Sequence, residues 1–309
     1  MLVKVKQIYV KLAIILLHTA VFIILLNTAV WIFIKIFPKN AYPENYFQTL
    51  KSVHANLPPA EIDRLFAETN LDRKFRYAPY LDLIEGTYGG KYVNVTAAGF
   101  RPITDQGPWP PESNFYNIFV FGGSTTFGYG VTDDQTVPAY LSKQLPKMDG
   151  KNVKVYNFGQ GYYYSTQEML FFMSLIKQGI QPDMVMFIDG LNDFVYREDA
   201  SVYAPVFREL VEANMLKLRV RQIIELIPVT EIYNRANGYF KKSSAPIPNK
   251  ILGLDQDIVP VLIDRYLANL RLVRAVSDGF GIRRSIFVIQ PVPSYHNNDE
   301  MYPFRNEIG

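Results

Sequence analysis

A chain of 309 residues with 49% hydrophobic content has material for one large or two modest cored domains. Its 32 Lys and Arg against 29 Asp and Glu leave a formal charge of +3, too slight for a nucleic-acid surface. There is no cysteine, which excludes disulfides and thiolate metal sites, and His18, His54 and His296 lie too far apart in sequence for a metal-ligand spacing, so nothing calls for a metal or a cofactor.

Leu12 to Ile34 carries no charge (LAIILLHTAVFIILLNTAVWIFI). A helix of about 20 mostly apolar residues spans a bilayer, so residues 1–37 read as an N-terminal transmembrane anchor. A cleaved signal peptide has a shorter apolar core and a small-residue cleavage site; here Trp31, Phe33, Lys35 and Phe37 follow instead. His18, Asn27 and the threonines read as tolerated polar residues of a single span. Lys4, Lys6, Lys11 and the terminal amine precede the span, while Lys35 and Lys39 follow it, with Glu44 soon after. That bias favours an N-terminus inside, a cytoplasmic-membrane location, and a periplasmic or extracellular remainder.

Pro38 ends the helix, and residues 38–110 read as a stalk and small accessory segment. Pro43, Pro58 and Pro59 mark the stalk, and Pro59 to Ala67 is a short helix. Tyr80 to Phe100, with Gly86, Gly89, Gly90 and the alternating Tyr92-Val93-Asn94-Val95, suggests a small hairpin. Residues 102–114 hold four prolines and form a loop.

Residues 111–309 form the main domain, where strands and helices alternate, the pattern of a parallel sheet covered on both faces. Ile118 to Phe121 is a buried strand that stops at Gly122-Gly123, and Ser124, Thr125 and Thr126 follow at once. Asp133 or Asp134 caps a helix to about Leu145. The strand Val153 to Phe158 ends in Gly159-Gln160-Gly161. Ser165 and Glu168 have capping-box spacing for a helix that runs to Gly179. Met184 to Ile188 is a third strand, ending in Asp189-Gly190-Leu191-Asn192-Asp193. Residues 197–254 break the rhythm and read as a helical insertion over the active face, with Val206 to Ile227 helical and Pro228 as its stop. Asp255 caps a long helix with an inward stripe at 258, 262, 266, 269, 270 and 273, and Ser285 to Ile289 is a fourth strand closed by Gln290-Pro291.

A serine at the C-terminal end of a buried strand sits where open α/β sheets keep their active sites. Three familiar loop motifs do not fit it. The nucleophile elbow needs glycine two residues after the serine, and Thr126 stands there; no lysine follows the glycines as in a Walker loop; and Gly128-Tyr129-Gly130 meets Asp133 where a dinucleotide fingerprint has its third glycine. Three strand ends carry polar groups, and in a parallel sheet these ends share one edge. Acyl transfer needs a nucleophile and donors aimed at the oxyanion. Ser124 can attack, while its own N–H, the N–H near Gly161 and the Asn192 amide can form the oxyanion hole. The plain alternative is that each residue is a turn former.

In order, GGSTTFG, NFGQGYYYSTQE and DGLND resemble the first three blocks of the SGNH, or GDSL-type, hydrolase superfamily, over roughly residues 115–195. The resemblance implies a three-layer α/β/α, flavodoxin-like fold with ester hydrolase or acyl-transfer activity. It makes Ser124 the nucleophile and Asn192 an oxyanion donor. It puts a second donor at or beside Gly161, with Tyr162 at the strict spacing, and Gly190 and Asp193 complete the third block. Gly123 stands where the family has Asp, and the family's C-terminal Asp-x-x-His is absent: three residues before His18, His54 and His296 stand Ile15, Lys51 and Pro293. His296 and Asp299 hold the two residue types in reverse order. The expectation is a chain short of its last segment, because Ile286 to Ile289 is apolar on both faces yet would be a sheet edge. The implied function is a membrane-anchored serine esterase acting on ester-linked acyl groups of cell-surface or secreted glycans. A polysaccharide O-acyltransferase on the same fold and a catalytically inactive glycan-binding module are the alternatives; the oligomeric state stays open.

Overall fold

The structure is a computed structural model and describes residues 2–36, 54, 57–196, 198–201, 204, 208, 224, 227–230, 232–233 and 258–290. Most of the insertion read at 197–254, the Asp255 cap, and the His296 to Asp299 stretch lie outside the described residues. Contacts divide the chain into two units, Met1–Gln48 with Pro205–Asn249 and Thr49–Ala204 with Lys250–Gly309.

In the first unit, α1 (Leu2–Ile36) is a 35-residue helix. Its Val5–Ile36 stretch is long and apolar enough to cross a membrane. The polar side chains within it bond their own helix. The His18 ring Nδ1 lies 2.8 Å from the Ile14 carbonyl, Asn27 Nδ2 donates to Ile23 O and Thr28 Oγ1 to Ile24 O, each at 2.8 Å. Asn27 Oδ1 also accepts the Val229 N–H at 3.1 Å, so this amide bonds outside the helix as well.

The second unit opens with α2 (Pro59–Asn70), with Pro at its first turn where the missing N–H costs nothing. Two small ladders follow. One pairs β1 (Phe75–Ala78) with β2 (Asp82–Glu85); the other pairs β3 (Tyr88–Gly89) with β4 (Asn94–Val95). The sequence pattern points to a single hairpin and misses β1, whose four residues, FRYA, make only a short run.

The main sheet holds β5 (Tyr116–Gly122), β6 (Lys147–Met148), β7 (Lys151–Gly159), β8 (Met184–Asp189) and β9 (Arg284–Ile289), in the order β6-β7-β5-β8-β9. All neighbours are parallel except β6 against β7. All seven residues of β5 are buried, as expected of a central parallel strand. The four long strands therefore run 2-1-3-4 in chain order, and the order reverses at β5 and β8, a topological switch point.

Alternation along the strands sorts the core. Phe119, Phe121, Tyr156, Phe158, Val185 and Phe187 join Phe171 and Phe172 of α5 (Ser165–Lys177) and Val273 of α7 (Ile258–Gly279). Ile118, Val120, Val153, Val155 and Met184 face the other way and meet Ala139 of α4 (Val137–Gln144). Register sets Phe158, Phe121, Phe187 and Phe287 side by side across four strands. Their rings stack at 5.4, 5.0 and 5.6 Å, an offset geometry that adds to their burial. Among the described residues β9 is an edge, with Ile289 69% exposed.

Two expected caps are corrected. Thr136 caps α4, its Oγ1 accepting the Ala139 N–H at 3.2 Å, because Asp133 is taken by Arg101 and Asn94. The Ser165–Glu168 capping box does not form. Ser165 instead donates its N–H and hydroxyl to the Asp193 carboxylate, and Glu168 is buried. A carboxylate from another element serves the α5 N-terminus as a local cap would.

Candidate active site

The turn after β5 is forced by close contacts. A Cβ on Gly122 would lie 2.1 Å from Thr126 Oγ1 and 2.9 Å from the Ile188 carbonyl. Gly123 then enters a single helical turn, α3 (Ser124–Phe127). From the neighbouring strand, Asn157 Nδ2 donates to Thr126 O at 3.0 Å while its Oδ1 accepts the Gly159 N–H at 3.0 Å. Gly159 lets β7 approach, since a Cβ there would sit 2.2 Å from Phe127 N. Ser124 is thus held by backbone packing at the end of β5.

At the end of β8, Gly190 has φ 127° and ψ −54°, a region essentially closed to other residues. It turns the chain into α6 (Leu191–Val195), which carries Asn192 and Asp193. Ser124 and Asn192 line one cleft with Gly123, Tyr163, Asp189 and Gln290. Asn192 Nδ2 donates to the Tyr163 carbonyl at 2.6 Å. An amide has two N–H groups, and this bond uses one of them. A Cβ on Gly123 would stand 2.7 Å from that same Nδ2; glycine at the position where the resembled family has Asp leaves the amide its place.

Gly161 does not join them. Its N–H points at Glu85 Oε1, 3.4 Å away, and a Cβ on it would meet Tyr129 Oη at 2.4 Å. Glu85 is itself buried against Arg73 and accepts from Tyr129 Oη at 3.1 Å. The expectation of a second oxyanion donor at Gly161 thus meets an amide already bonded to a carboxylate from the β1–β2 ladder. Its neighbour Tyr162 has φ +67°, unusual for a bulky residue and costing roughly 1 kcal/mol or more.

Three carboxyl groups, Glu168, Asp189 and Asp193, also line the cleft, and among the described residues no group is arranged to hold a metal ion. Asp193 is satisfied by Ser165, and Arg265 Nη2 donates to its backbone carbonyl at 2.8 Å. Asn269 Nδ2 reaches Ser165 Oγ at 2.9 Å and Thr166 Oγ1 at 2.8 Å, tying α7 to the same corner. Asp189 and Glu168 are buried side by side and act on each other, and Tyr266 also reaches Asp189. Burial pushes Glu168 well above the ordinary carboxylate range and Asp189 up to about 6, and Asp193 is raised by burial too.

The sequence gives no signal for Arg101. This fully buried side chain donates to Asp133 at 2.7 Å and to the carbonyls of Phe127, Gly128 and Val131 at 3.0, 2.7 and 2.7 Å. Its planar fork closes the loop that follows α3. Of the described histidines, His18 lies in α1 and His54 Nε2 lies 2.7 Å from the Gly130 carbonyl; neither lines the cleft.

No family model and no curated protein matches the chain. Seven solved chains match. One is AlinE4, an SGNH-hydrolase family esterase, 26% identical with a TM-score of 0.23 over 26% of this chain and 43% of that one. Another is a mutant of the esterase AlinE4, 23% identical with a TM-score of 0.24 over 35% of this chain and 55% of that one. The chain spans about half the length of these solved structures.

Proposed function

We propose that the protein is a membrane-anchored serine ester hydrolase of the SGNH type, acting on ester-linked acyl groups of a cell-surface or secreted glycan. One observation carries the reading: Ser124 and Asn192 follow the two strands of the switch point and line one cleft. The 2-1-3-4 order of the parallel strands and the apolar clusters on both sheet faces support the three-layer, flavodoxin-like reading. The apolar α1 and its flanking lysines support an anchor with the sheet unit on the periplasmic or outer side.

In this reading Ser124 Oγ bonds to the acyl carbon, and the carbonyl electron pair moves to oxygen. The oxyanion accepts the Ser124 N–H, at the open first turn of α3, and the second N–H of Asn192. Collapse expels the alcohol, which takes the proton that Ser124 lost, and water then releases the acyl group by the same route. A serine needs a base to take that proton; none of the described histidines lines the cleft, and the resembled family supplies its base from Asp-x-x-His. Gly161 would contribute only by releasing Glu85, so Ser124 and Asn192 form the proposed oxyanion hole.

The test is a serine-directed fluorophosphonate probe on the full-length protein, with ester turnover measured beside it. Labelling should vanish in Ser124→Ala, and Asn192→Ala should lower turnover roughly a hundredfold or more, the scale of one lost oxyanion donor. Labelling that persists without Ser124, or no labelling of the unaltered protein, would sink the reading.

A further inference from the structure

Asn27 ties α1 to a segment far along the chain: its Oδ1 accepts the Val229 N–H at 3.1 Å, 202 positions away. Residues 5–26 of α1 are all exposed. The half-buried positions are Asn27, Val30 and Ile34, which share one helix face. At 1.5 Å per residue the exposed stretch is about 33 Å long, close to the ~30 Å of a bilayer's hydrocarbon core. Lys6 and Lys11, near its start, can reach the surface along their own stems. Cover on the helix therefore begins where the bilayer would end. Trp31 and Lys35 follow one and two turns later, with the Lys35 ammonium 5.9 Å from the Trp31 ring centre. Both are residue types of a membrane–water interface.

The covering segment keeps its own backbone satisfied. The Ile227 N–H donates to Ile224 O at 3.1 Å, the Thr230 N–H to Ile227 O at 2.9 Å, and the Thr230 hydroxyl to Ile224 O at 2.7 Å. Pro228 has no N–H and Asn27 takes that of Val229, so every backbone N–H from 227 to 230 has a partner. Water makes such pairing optional, whereas a bilayer requires it. Asn27 gains equally, because its Nδ2 already serves its own helix and its Oδ1 needs a donor. Pro228 meets α1 in a groove lined by Ile24, Asn27, Thr28 and Trp31, which sets the segment at the depth of those residues. Ile224, Ile227 and Tyr233 are 48%, 37% and 64% exposed there. From Ile223 to Tyr233 only Glu225 and Glu231 are charged, a composition for the headgroup boundary rather than for hydrocarbon.

We propose that residues 224–233 are a second membrane contact, clasped to α1 by the Asn27–Val229 bond and lying on the lipids of the leaflet from which α1 emerges. The inference rests on the anchor reading of α1 and is independent of the chemistry at Ser124. The chain has no cysteine, so single cysteines can carry a fluorescent dye without background. The test places one at Phe22→Cys in α1, at Ile227→Cys, at Tyr233→Cys, or at Lys177→Cys on the exposed end of α5 as a water-facing control. Each full-length protein is reconstituted into phosphatidylethanolamine–phosphatidylglycerol vesicles and quenched by iodide or by a shallow nitroxide lipid. The lipid should quench at 22, 227 and 233, and iodide should quench 227 and 233 at least about twofold less than 177. Asn27→Leu should raise iodide quenching at 227 towards that at 177 and leave position 22 unchanged. A dye at 22 in lipid with 227 and 233 as open to iodide as 177 would overturn the inference alone. Iodide access at 22 as well would overturn the anchor reading and the inference with it. Unchanged quenching at 227 in Asn27→Leu would also overturn it, since the bond would then hold nothing in place.

Discussion

Asp189 follows a run of apolar strand residues and ends in the interior, 4% exposed. Around it stand Glu168 from α5, Asp193 from α6 and Tyr266 from α7. Burial raises its pKa from 3.8 to about 6, so the folded state holds the proton more tightly than the unfolded chain. The stabilisation is therefore complete below about pH 4 and fades as the pH rises to about 6. Asp189→Asn, neutral at every pH, should make that decline shallower, Glu168 and Asp193 supplying what remains, and gain on the order of 1–3 kcal/mol at pH 7. Urea unfolding from pH 4 to 7 measures it; an unchanged slope in the variant would mean that Asp189 is already ionised or solvated.

The active edge is shaped by close approaches between elements. β7 touches α3 through Gly159, where any Cβ would lie 2.2 Å from a backbone nitrogen. No side-chain rotation relieves a clash with backbone. Gly159→Ala should destabilise the sheet unit by about 3 kcal/mol, the upper end of the usual overpacking cost, and should cost ester turnover as well, because α3 starts at Ser124. Thermal unfolding and turnover are read together: a variant as stable and as active as the original would show that the strand and helix can part without consequence. The stacked phenylalanine row lies one residue below this edge, at Phe121, Phe158 and Phe187. It gives the turns above a rigid, close-packed floor.

At the scale of the whole molecule, one apolar helix of 35 residues accompanies a sheet unit with its own core. A reporter that works only outside the cytoplasm, fused after residue 309, should be active if the lysine bias sets orientation. A fusion active only in the cytoplasm would reverse the proposed topology. That measurement does not depend on the catalytic reading.

The sequence by itself determined what is periodic or local. The long apolar helix, the four long strands and the glycine turn before Ser124 were legible because apolar runs and glycines act within a few residues. So was the convergence of Ser124 and the Asn192 segment, since parallel strand ends share an edge. The β1 strand was not legible, being only four residues long, and neither were the caps: Asp133 and Glu168 look like local cap residues but are drawn away by Arg101 and by burial. Only the tertiary structure decided which amides point into the cleft. It turned the Gly161 N–H towards Glu85, a residue 76 positions earlier, and tied one Asn192 N–H to Tyr163. Side-chain and amide direction depend on partners distant in the chain, and spacing along a sequence carries no record of them.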